Sequence, residues 1–160
     1  MHIWTITNWK KILKENKSRR TGIHFRYDKT VDPEVKRACS QFARWLRLEY
    51  YFPLRVLVYV KGTDTIRTKD GEKVVGSFFE PFSYDDEPYI RIATGDYDGL
   101  VQKMGNDNAL ATILASLAHE LTHYYQWINN IQLTDIGRER QATQYSNFIV
   151  DEYSCTCDHP

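Results

Sequence analysis

The chain has 160 residues, and its 21 basic and 21 acidic side chains give a formal net charge of zero. This length suits one domain covering residues 1–160, with a core large enough to need no disulfides. No apolar run approaches the roughly 18 residues of a membrane-spanning helix, which argues against a membrane protein. Three cysteines and no visible signal peptide predict a reducing compartment, so we expect a cytoplasmic protein.

Charge is unevenly distributed between the two parts of the chain. Residues 1–70 hold 16 basic and 7 acidic side chains, a balance of +9, and residues 71–160 hold 5 and 14, a balance of −9. The basic part is a candidate surface for an acidic partner. The densest basic run has no interleaved aromatic residues and no nucleic-acid-binding signature. This argues against a nucleic-acid-binding site and favours a solvated helix face and loop.

The first third of the chain predicts a helix, a strand and a longer helix. Asn8–Glu15 has the spacing of a short amphipathic helix, with Trp9, Ile12 and Leu13 facing inward. Ile23–Tyr27 alternates apolar and polar residues as a short strand does. Asp32 followed by Pro33 is typical of a helix start, and the apolar spacing then continues to about Tyr50.

Short strands are predicted for the middle of the chain. Leu54–Lys61 is rich in β-branched residues, and Lys69-Asp70-Gly71 is typical of a hairpin turn before a strand at Val74–Phe79. Tyr89–Ala93 predicts another strand. Gly95–Asn108 lacks a clear periodicity and is expected to be a loop.

Two helices are predicted for the C-terminal third. The first spans Leu110–Ile128 with Asn106 or Asn108 as its N-cap, and the second begins at Thr134 or Asp135 and ends near Tyr153. The sequence therefore predicts an α+β fold, with several short strands between the N-terminal helices and two C-terminal helices.

The first of these helices carries the pattern H-E-x-x-H, as His119-Glu120-Leu121-Thr122-His123. His119 and His123 lie one turn apart on one face, and the apolar residues fall near the opposite face: Leu110, Leu114, Leu117, Leu121, Tyr124 and Ile128. Two imidazoles at this spacing can bind one zinc ion, and a catalytic zinc needs a third protein ligand and a water. Glu120 projects beside the metal, where it can act as the catalytic base rather than as a ligand.

The motif resembles the active-site helix of the zincin metallopeptidases. That resemblance implies a minimal zincin-like fold, in which a small twisted mixed sheet packs on an N-terminal helix. It also implies that an edge strand of this sheet runs antiparallel to the bound peptide above the zinc. The segment Val74 to Ala93 would supply this edge strand. The metzincin form of the motif is excluded, because Gln126 and Asn129 occupy the places of its glycine and its third histidine.

Downstream candidates for the third ligand are Asp135, Glu139, Asp151, Glu152 and His159. Glu139 opens one face of the last helix, which continues as Ala142, Ser146, Ile149 and Tyr153. A carboxylate on such a face must be paired or bound to metal, because its burial alone is too costly. Glu139-Arg140-Gln141-Ala142 is similar to the gluzincin pattern of the short ImmA/IrrE-type peptidases. Asp135 remains an alternative ligand.

The sequence thus predicts a zinc-dependent peptidase. His119, His123 and Glu139 would bind Zn²⁺, and Glu120 would assist attack of zinc-bound water on a peptide or protein substrate. An oxyanion-stabilising residue is not singled out, although the candidates include Tyr125, Tyr145 and Tyr153. Two alternatives are a catalytically degenerate zincin that serves as a protein-binding or regulatory module, and an interaction protein that uses its basic part.

Overall fold

The computed structural model describes residues 1–14 and 17–160, and across these residues it confirms the predicted α+β class. The helices are α1 (Trp9–Ile12), α2 (Pro33–Glu49), α3 (Tyr97–Met104), α4 (Asn106–Ile128) and α5 (Asp135–Ser154). The strands are β1 (Ile23–Tyr27), β2 (Val56–Lys61), β3 (Ile66–Arg67), β4 (Lys73–Val74), β5 (Gly76–Phe79) and β6 (Tyr89–Ala93). No helix in this described part of the chain has the length and apolarity to cross a membrane.

Four strands form a mixed sheet in the order β1-β2-β6-β5, and β3 and β4 form a separate antiparallel pair. β1, β2 and β6 run parallel, whereas β5 runs antiparallel to β6 and forms one edge. Val56, Val58 and Val60 of β2 are fully buried, while the residues between them are partly exposed. This alternation arises because α2 packs on β1 and α4 packs on β5 and β6, which covers one face.

The start of α2 agrees with its sequence signal. The Asp32 carboxylate accepts a hydrogen bond of 2.8 Å from the backbone N–H of Glu34, and Pro33 is the first helical residue. The missing N–H of a proline costs nothing at this position, because the first N–H groups of a helix have no partner within it. The predicted apolar stripe of α2 is fully buried, at Val35, Cys39, Phe42 and Leu46.

Helix α4 lies at the centre of the molecule. All six apolar residues predicted to face the core are buried at 3% exposure or less. The hydroxyl of Tyr124 is also buried, where it donates a hydrogen bond of 2.6 Å to the Leu54 carbonyl and accepts one of 3.1 Å from the Leu54 N–H. A buried polar group is thereby satisfied, and the start of the β2 segment is fixed against the helix.

The end of α4 is closed by a left-handed residue. Asn130 has φ of +50°, and its N–H donates to the Trp127 carbonyl while the N–H of Ile131 donates to the Gln126 carbonyl. This pair of hydrogen bonds satisfies two terminal carbonyls and turns the chain towards α5. Thr134, one of the two caps predicted from the sequence, caps α5 by accepting a hydrogen bond from the Gly137 N–H, and Asp135 is the first helical residue.

The region predicted as a loop at Gly95–Asn108 contains helix α3, so that prediction was wrong. An eight-residue helix with Gly99 inside it has too few apolar positions to show a helical period. The predicted N-cap of α4 was also wrong: Gly105 occupies that position with φ of +85°, and Asn106 is already helical. That conformation is favourable only for a residue without a Cβ atom.

Three smaller differences concern element ends. Helix α1 ends at Ile12 rather than at Glu15, which lies outside the described residues, and of its predicted inward residues only Leu13 is fully buried. The first residues predicted for β2 precede the strand, which starts at Val56. The strand predicted at Val74–Phe79 is divided into β4 and β5, because the chain bends at Val75.

The packing of α2 predicts a large difference in cysteine reactivity. Cys39 is fully buried, and burial raises the pKa of its thiol to about 12, whereas Cys155 is exposed. In native Cys155→Ser/Cys157→Ser protein, we expect no reaction of Cys39 with a thiol reagent at pH 8 until denaturant is added. The Cys39→Ser variant should instead react readily through Cys155 and Cys157, and absorbance measures both reactions. Fast labelling of Cys39 in the native double variant would show that α2 is not packed in this way.

Candidate metal centre

The metal-ligand candidates meet where α4 and α5 pack against each other in opposite directions. His119 and His123 project from α4, and Glu139 lies in the second turn of α5. The distance from His119 Nε2 to Glu139 Oε2 is 3.1 Å, and that from His123 Nε2 to Glu139 Oε1 is 3.0 Å. The two imidazole rings stand at 81° to each other with centroids 5.0 Å apart. Both imidazoles therefore face the same carboxylate.

These three side chains lie close enough to bind one metal ion. One ligand atom from each lies within 4.8 Å of the other two, and no other such group of His, Cys, Asp and Glu occurs among residues 1–14 and 17–160. The His123 side chain is 10% exposed and that of His119 is 24% exposed. The centre is thus open to solvent on one side.

The sequence predicted that Glu139 is a buried carboxylate, and that prediction was wrong. Its side chain is 65% exposed, so the carboxylate lies on the open side of the centre and its burial cannot require a partner. Only the later residues of that face are buried, namely Ala142, Ser146, Ile149 and Tyr153. The position of Glu139 next to both histidines follows instead from the close packing of α4 and α5.

The Gln126 amide fixes which nitrogen of His123 carries the proton. Its Nε2 donates to the Arg138 carbonyl at 3.1 Å and to the Gln141 Oε1 at 2.9 Å. A backbone carbonyl only accepts, so the amide oxygen must face His123, where Oε1 lies 2.8 Å from Nδ1. Nδ1 is therefore the donor, and in the neutral ring the lone pair lies on Nε2.

The tautomer of His123 creates a site for a cation. Burial lowers the pKa of His123 below its usual value, so the ring is neutral at neutral pH. The lone pair of Nε2 then points at Glu139 Oε1 across 3.0 Å with no proton between them. Two acceptors at this distance repel each other, and a shared metal ion converts the repulsion into two favourable bonds.

Glu120 lies beside this centre and is almost completely buried, with 8% of its surface exposed. Burial first, and the nearby Glu139 charge second, raise the pKa of Glu120 to about 8. Its carboxyl group makes no hydrogen bond with any residue in the described part of the chain. A Cβ atom added to Gly76 would come within 2.9 Å of the Glu120 Oε1, so this glycine leaves room for the carboxyl group. The group is available for proton transfer at near-neutral pH.

A groove of about 580 Å³ passes over the metal-ligand candidates, between β5 and α5. It is lined by Glu72, Val74, Gly76, Phe78, Glu80, His119, Glu120, His123, Asp135, Arg138 and Glu139. We refer to it as the central groove. The resemblance left open which strand forms the edge above the centre, and the sheet order places β5 there, with β6 inside the sheet.

The free edge of β5 carries unpaired backbone groups. The Ala93 N–H donates to the Val75 carbonyl at 2.7 Å, which sets the alternation of hydrogen-bonded pairs along β5 and β6. Ser77 therefore directs its backbone groups towards β6, whereas Gly76 and Phe78 direct theirs away from the sheet. The central groove is thus bordered by donors and acceptors that can pair with an extended peptide.

Other candidates from the sequence lie elsewhere or play a lesser part. Asp135 lines the central groove but is not one of the three grouped ligand residues. Glu152 accepts a hydrogen bond of 2.6 Å from the Tyr50 hydroxyl, and His159 contacts Asp107 at 2.7 Å. Asp151 is exposed on the last turns of α5 and lines no part of the groove.

The three tyrosines considered as oxyanion partners do not line the central groove. The Tyr125 and Tyr145 hydroxyls donate to the backbone carbonyls of Tyr51 and Met1. Tyr153 is buried at 3% exposure against aromatic side chains of α2. These residues stabilise the fold.

Sequence reasoning missed two residues of the centre, Gln126 and Gly76. From the sequence, Gln126 was considered only as a departure from the metzincin pattern. A glutamine three residues after His123 nevertheless lies on the same face of a helix. Gly76 gave no local signal, because its neighbour Glu120 is 44 residues away in the chain.

The geometry distinguishes Glu139 from Asp135 as a ligand. Glu139→Ala should abolish tight binding of Zn²⁺ by removing the carboxylate that faces both histidines, whereas Asp135→Ala should retain it. Calorimetric titration of metal-free protein with Zn²⁺ measures both affinities. The assignment fails if the aspartate variant loses the metal and the glutamate variant keeps it.

Gln126 should affect metal binding without being a ligand. Gln126→Met keeps the size of the side chain but removes the acceptor that orients His123, so we expect Zn²⁺ affinity to fall about 10- to 100-fold. The matched control Gln102→Met changes an exposed glutamine of α3 and should leave the affinity unaltered. Equal affinities of the two variants would contradict the orienting role.

Comparison of the chain with models of protein families finds no match, and comparisons with curated proteins and with solved structures find none either. The function of the central groove must therefore be inferred from its own residues.

Proposed function

We propose that the protein is a zinc-dependent peptidase, with His119, His123 and Glu139 as zinc ligands and Glu120 as the proton-transferring residue. One observation carries the proposal. Three ligand atoms lie within 4.8 Å of one another, directly beside a buried carboxyl group that has no hydrogen-bond partner among the described residues. This combination supplies both components that hydrolysis by a metallopeptidase needs.

The residues fit zinc better than a hard cation. Two imidazole nitrogens and one carboxylate oxygen form a common catalytic zinc ligand set, whereas calcium and magnesium prefer oxygen ligands. Zinc bond lengths imply about 3.3 Å between two ligand atoms in a tetrahedral site. The observed nitrogen-to-oxygen distances of 3.1 and 3.0 Å require only a small separation of α4 and α5 to reach that value.

The chain's own residues divide the chemical work. A bound zinc ion would polarise the substrate carbonyl and lower the pKa of a water towards 7. Glu120 accepts a proton from the attacking water and delivers it to the nitrogen of the leaving amine. Gly76 and Phe78 pair with the substrate backbone at the edge of β5, which holds the peptide extended over the centre.

The arrangement of elements supports the same proposal. A helix packed on a small sheet, an edge strand above the motif helix and a following helix that carries Glu139 are the parts that the resemblance to zincins implies. The Glu139-x-x-Ala142 pattern also agrees, because Ala142 is fully buried where α5 lies against α4. The proposed enzyme would resemble the short peptidases of the ImmA/IrrE type.

Substitution of Glu120 tests the catalytic role. Glu120→Gln should reduce the rate of peptide hydrolysis on the order of 10²–10⁴-fold, because the amide cannot accept the proton, while zinc content stays at about one per chain. Turnover is measured on a library of unstructured peptides by mass spectrometry, and zinc by elemental analysis. The matched control Glu49→Gln alters an exposed glutamate at the end of α2 and should retain full activity.

The outcomes separate the proposal from its rivals. Zinc binding without hydrolysis of any peptide by the unmodified protein would favour a degenerate zincin that serves as a binding module. Failure to bind zinc at all would favour an interaction protein that contacts an acidic partner through its basic part. Full activity of Glu120→Gln would refute the assigned mechanism even if peptides are hydrolysed.

A further inference from the structure

The central groove has an excess of negative charge that the proposed chemistry does not use. Five carboxyl groups line it, and Arg138 is its one lysine or arginine side chain. The proposed function assigns Glu120 to proton transfer and Glu139 to the metal. Glu72, Glu80 and Asp135 remain without a role.

Glu80 and Asp135 lie at the same end of the groove. One wall of the groove is formed by alternate residues of a single segment: Val74, Gly76, Phe78 and Glu80. Gly76 lies next to Glu120, and Phe78 lies near Trp127. Glu80 follows at the end, where its Oε2 lies 3.7 Å from the Arg138 Nη1. Asp135 is three residues before Arg138 on the opposite wall, and residues at this spacing are neighbours on a helix.

The opposite end of the groove carries one carboxyl group, that of Glu72, which lies two residues before Val74 on the same segment. Beyond His119 and Glu120 the groove continues into a cavity whose remaining lining is uncharged, namely Val74, Val75, Gly76, Thr112, Ala115, Ser116, Thr143 and Ser146. The end at Glu80 and Asp135 therefore offers two carboxyl groups to a peptide that crosses the centre, whereas the end at Glu72 offers one. At the end with two carboxyl groups, Arg138 lies 3.7 Å from Glu80 and balances one of them.

We infer that the central groove selects an extended peptide segment that places a lysine or arginine side chain at the end formed by Glu80 and Asp135. The inference rests on the peptide-binding role proposed for this groove. Two further observations point to a ligand in the groove: the nine-tenths buried Glu120 directs an unpartnered carboxyl group into it, and β5 leaves its backbone unpaired beside it. A cationic side chain at this end of a strand paired with β5 would lie between the walls that carry Glu80 and Asp135.

The charge preference should be modest and sensitive to salt. The Glu80 side chain is 44% exposed, and ion pairs of exposed side chains contribute little individually. Two such contacts together should favour a lysine over a glutamine about three- to tenfold in binding. The preference should decline as ionic strength rises, because the groove is open to solvent.

Peptide binding to zinc-loaded Glu120→Gln protein tests the inference without hydrolysis. Eight-residue alanine- and threonine-based peptides carry one lysine at successive positions, and each has a partner with glutamine at the same place. Calorimetry in low salt should give a three- to tenfold lower Kd for lysine on the side of the peptide at Glu80 and Asp135, and a smaller difference on the side at Glu72. Adding Glu80→Gln and Asp135→Asn should remove the larger difference, whereas adding Arg138→Gln should increase it.

Several results would overturn the inference. They are equal Kd values for the lysine and glutamine peptides, a preference on the side at Glu80 and Asp135 that survives Glu80→Gln with Asp135→Asn, and no binding of any peptide. The control Glu49→Gln in the same background should leave the preference intact. Cleavage of the peptides by the unmodified protein is followed in parallel. Charge-selective binding without cleavage would refute the proposed peptidase while leaving the selectivity established.

Discussion

The hydrogen bonds of Gln126 link the packing of α4 and α5 to the chemistry of His123. One amide group donates to the start of α5 through the Arg138 carbonyl and accepts from the imidazole of α4. The tautomer of His123 is therefore set by a contact between two helices rather than by the histidine itself. Any displacement of α5 along α4 would move Glu139 away and release His123 at the same time. The position of Glu139 and the protonation of His123 thus depend on the same contact between α4 and α5.

A second constraint arises from the burial of α4. Fifteen of its residues are buried, including the polar Glu120, Thr122, His123 and Gln126. A helix buried on nearly all sides has to satisfy each polar group internally, and Thr122 does so with the Ala118 carbonyl and the Trp4 indole N–H. Glu120 is the exception among these four. Burial and the nearby Glu139 charge raise the pKa of Glu120 to about 8, which favours the neutral form of this carboxyl group at neutral pH in the metal-free protein.

Local signals account for what the sequence predicted well. The start of α2 depends on Asp32 and Pro33, and the start of α5 depends on Thr134. Each of these signals acts within four residues of itself. Strands β1 and β6 were predicted with their observed ends for the same reason. The α4 stripe was also clear, because a 23-residue helix repeats its pattern several times.

The remainder depends on contacts between distant parts of the chain. Nothing near Glu139 reveals that it stays exposed, because exposure is decided by where β5 leaves the groove open. The order of the strands, with β5 outside β6, follows from packing on α4 and not from any residue of the strands themselves. Helix α3 was missed because Gly99 within it, and Gly95 and Gly105 on either side, resemble a loop when tertiary contacts are unknown.

Under the proposed peptidase function, the bend at Val75 and the four-residue length of β5 would limit which proteins can reach the centre. A short edge offers backbone pairing to only a few residues, and those residues must already be free of their own sheet or helix. A well-folded protein would have to open locally first, at a free-energy cost that falls on the substrate. Access to the groove would then be governed by the local stability of other proteins, so that chain termini, long loops and damaged domains would enter it first.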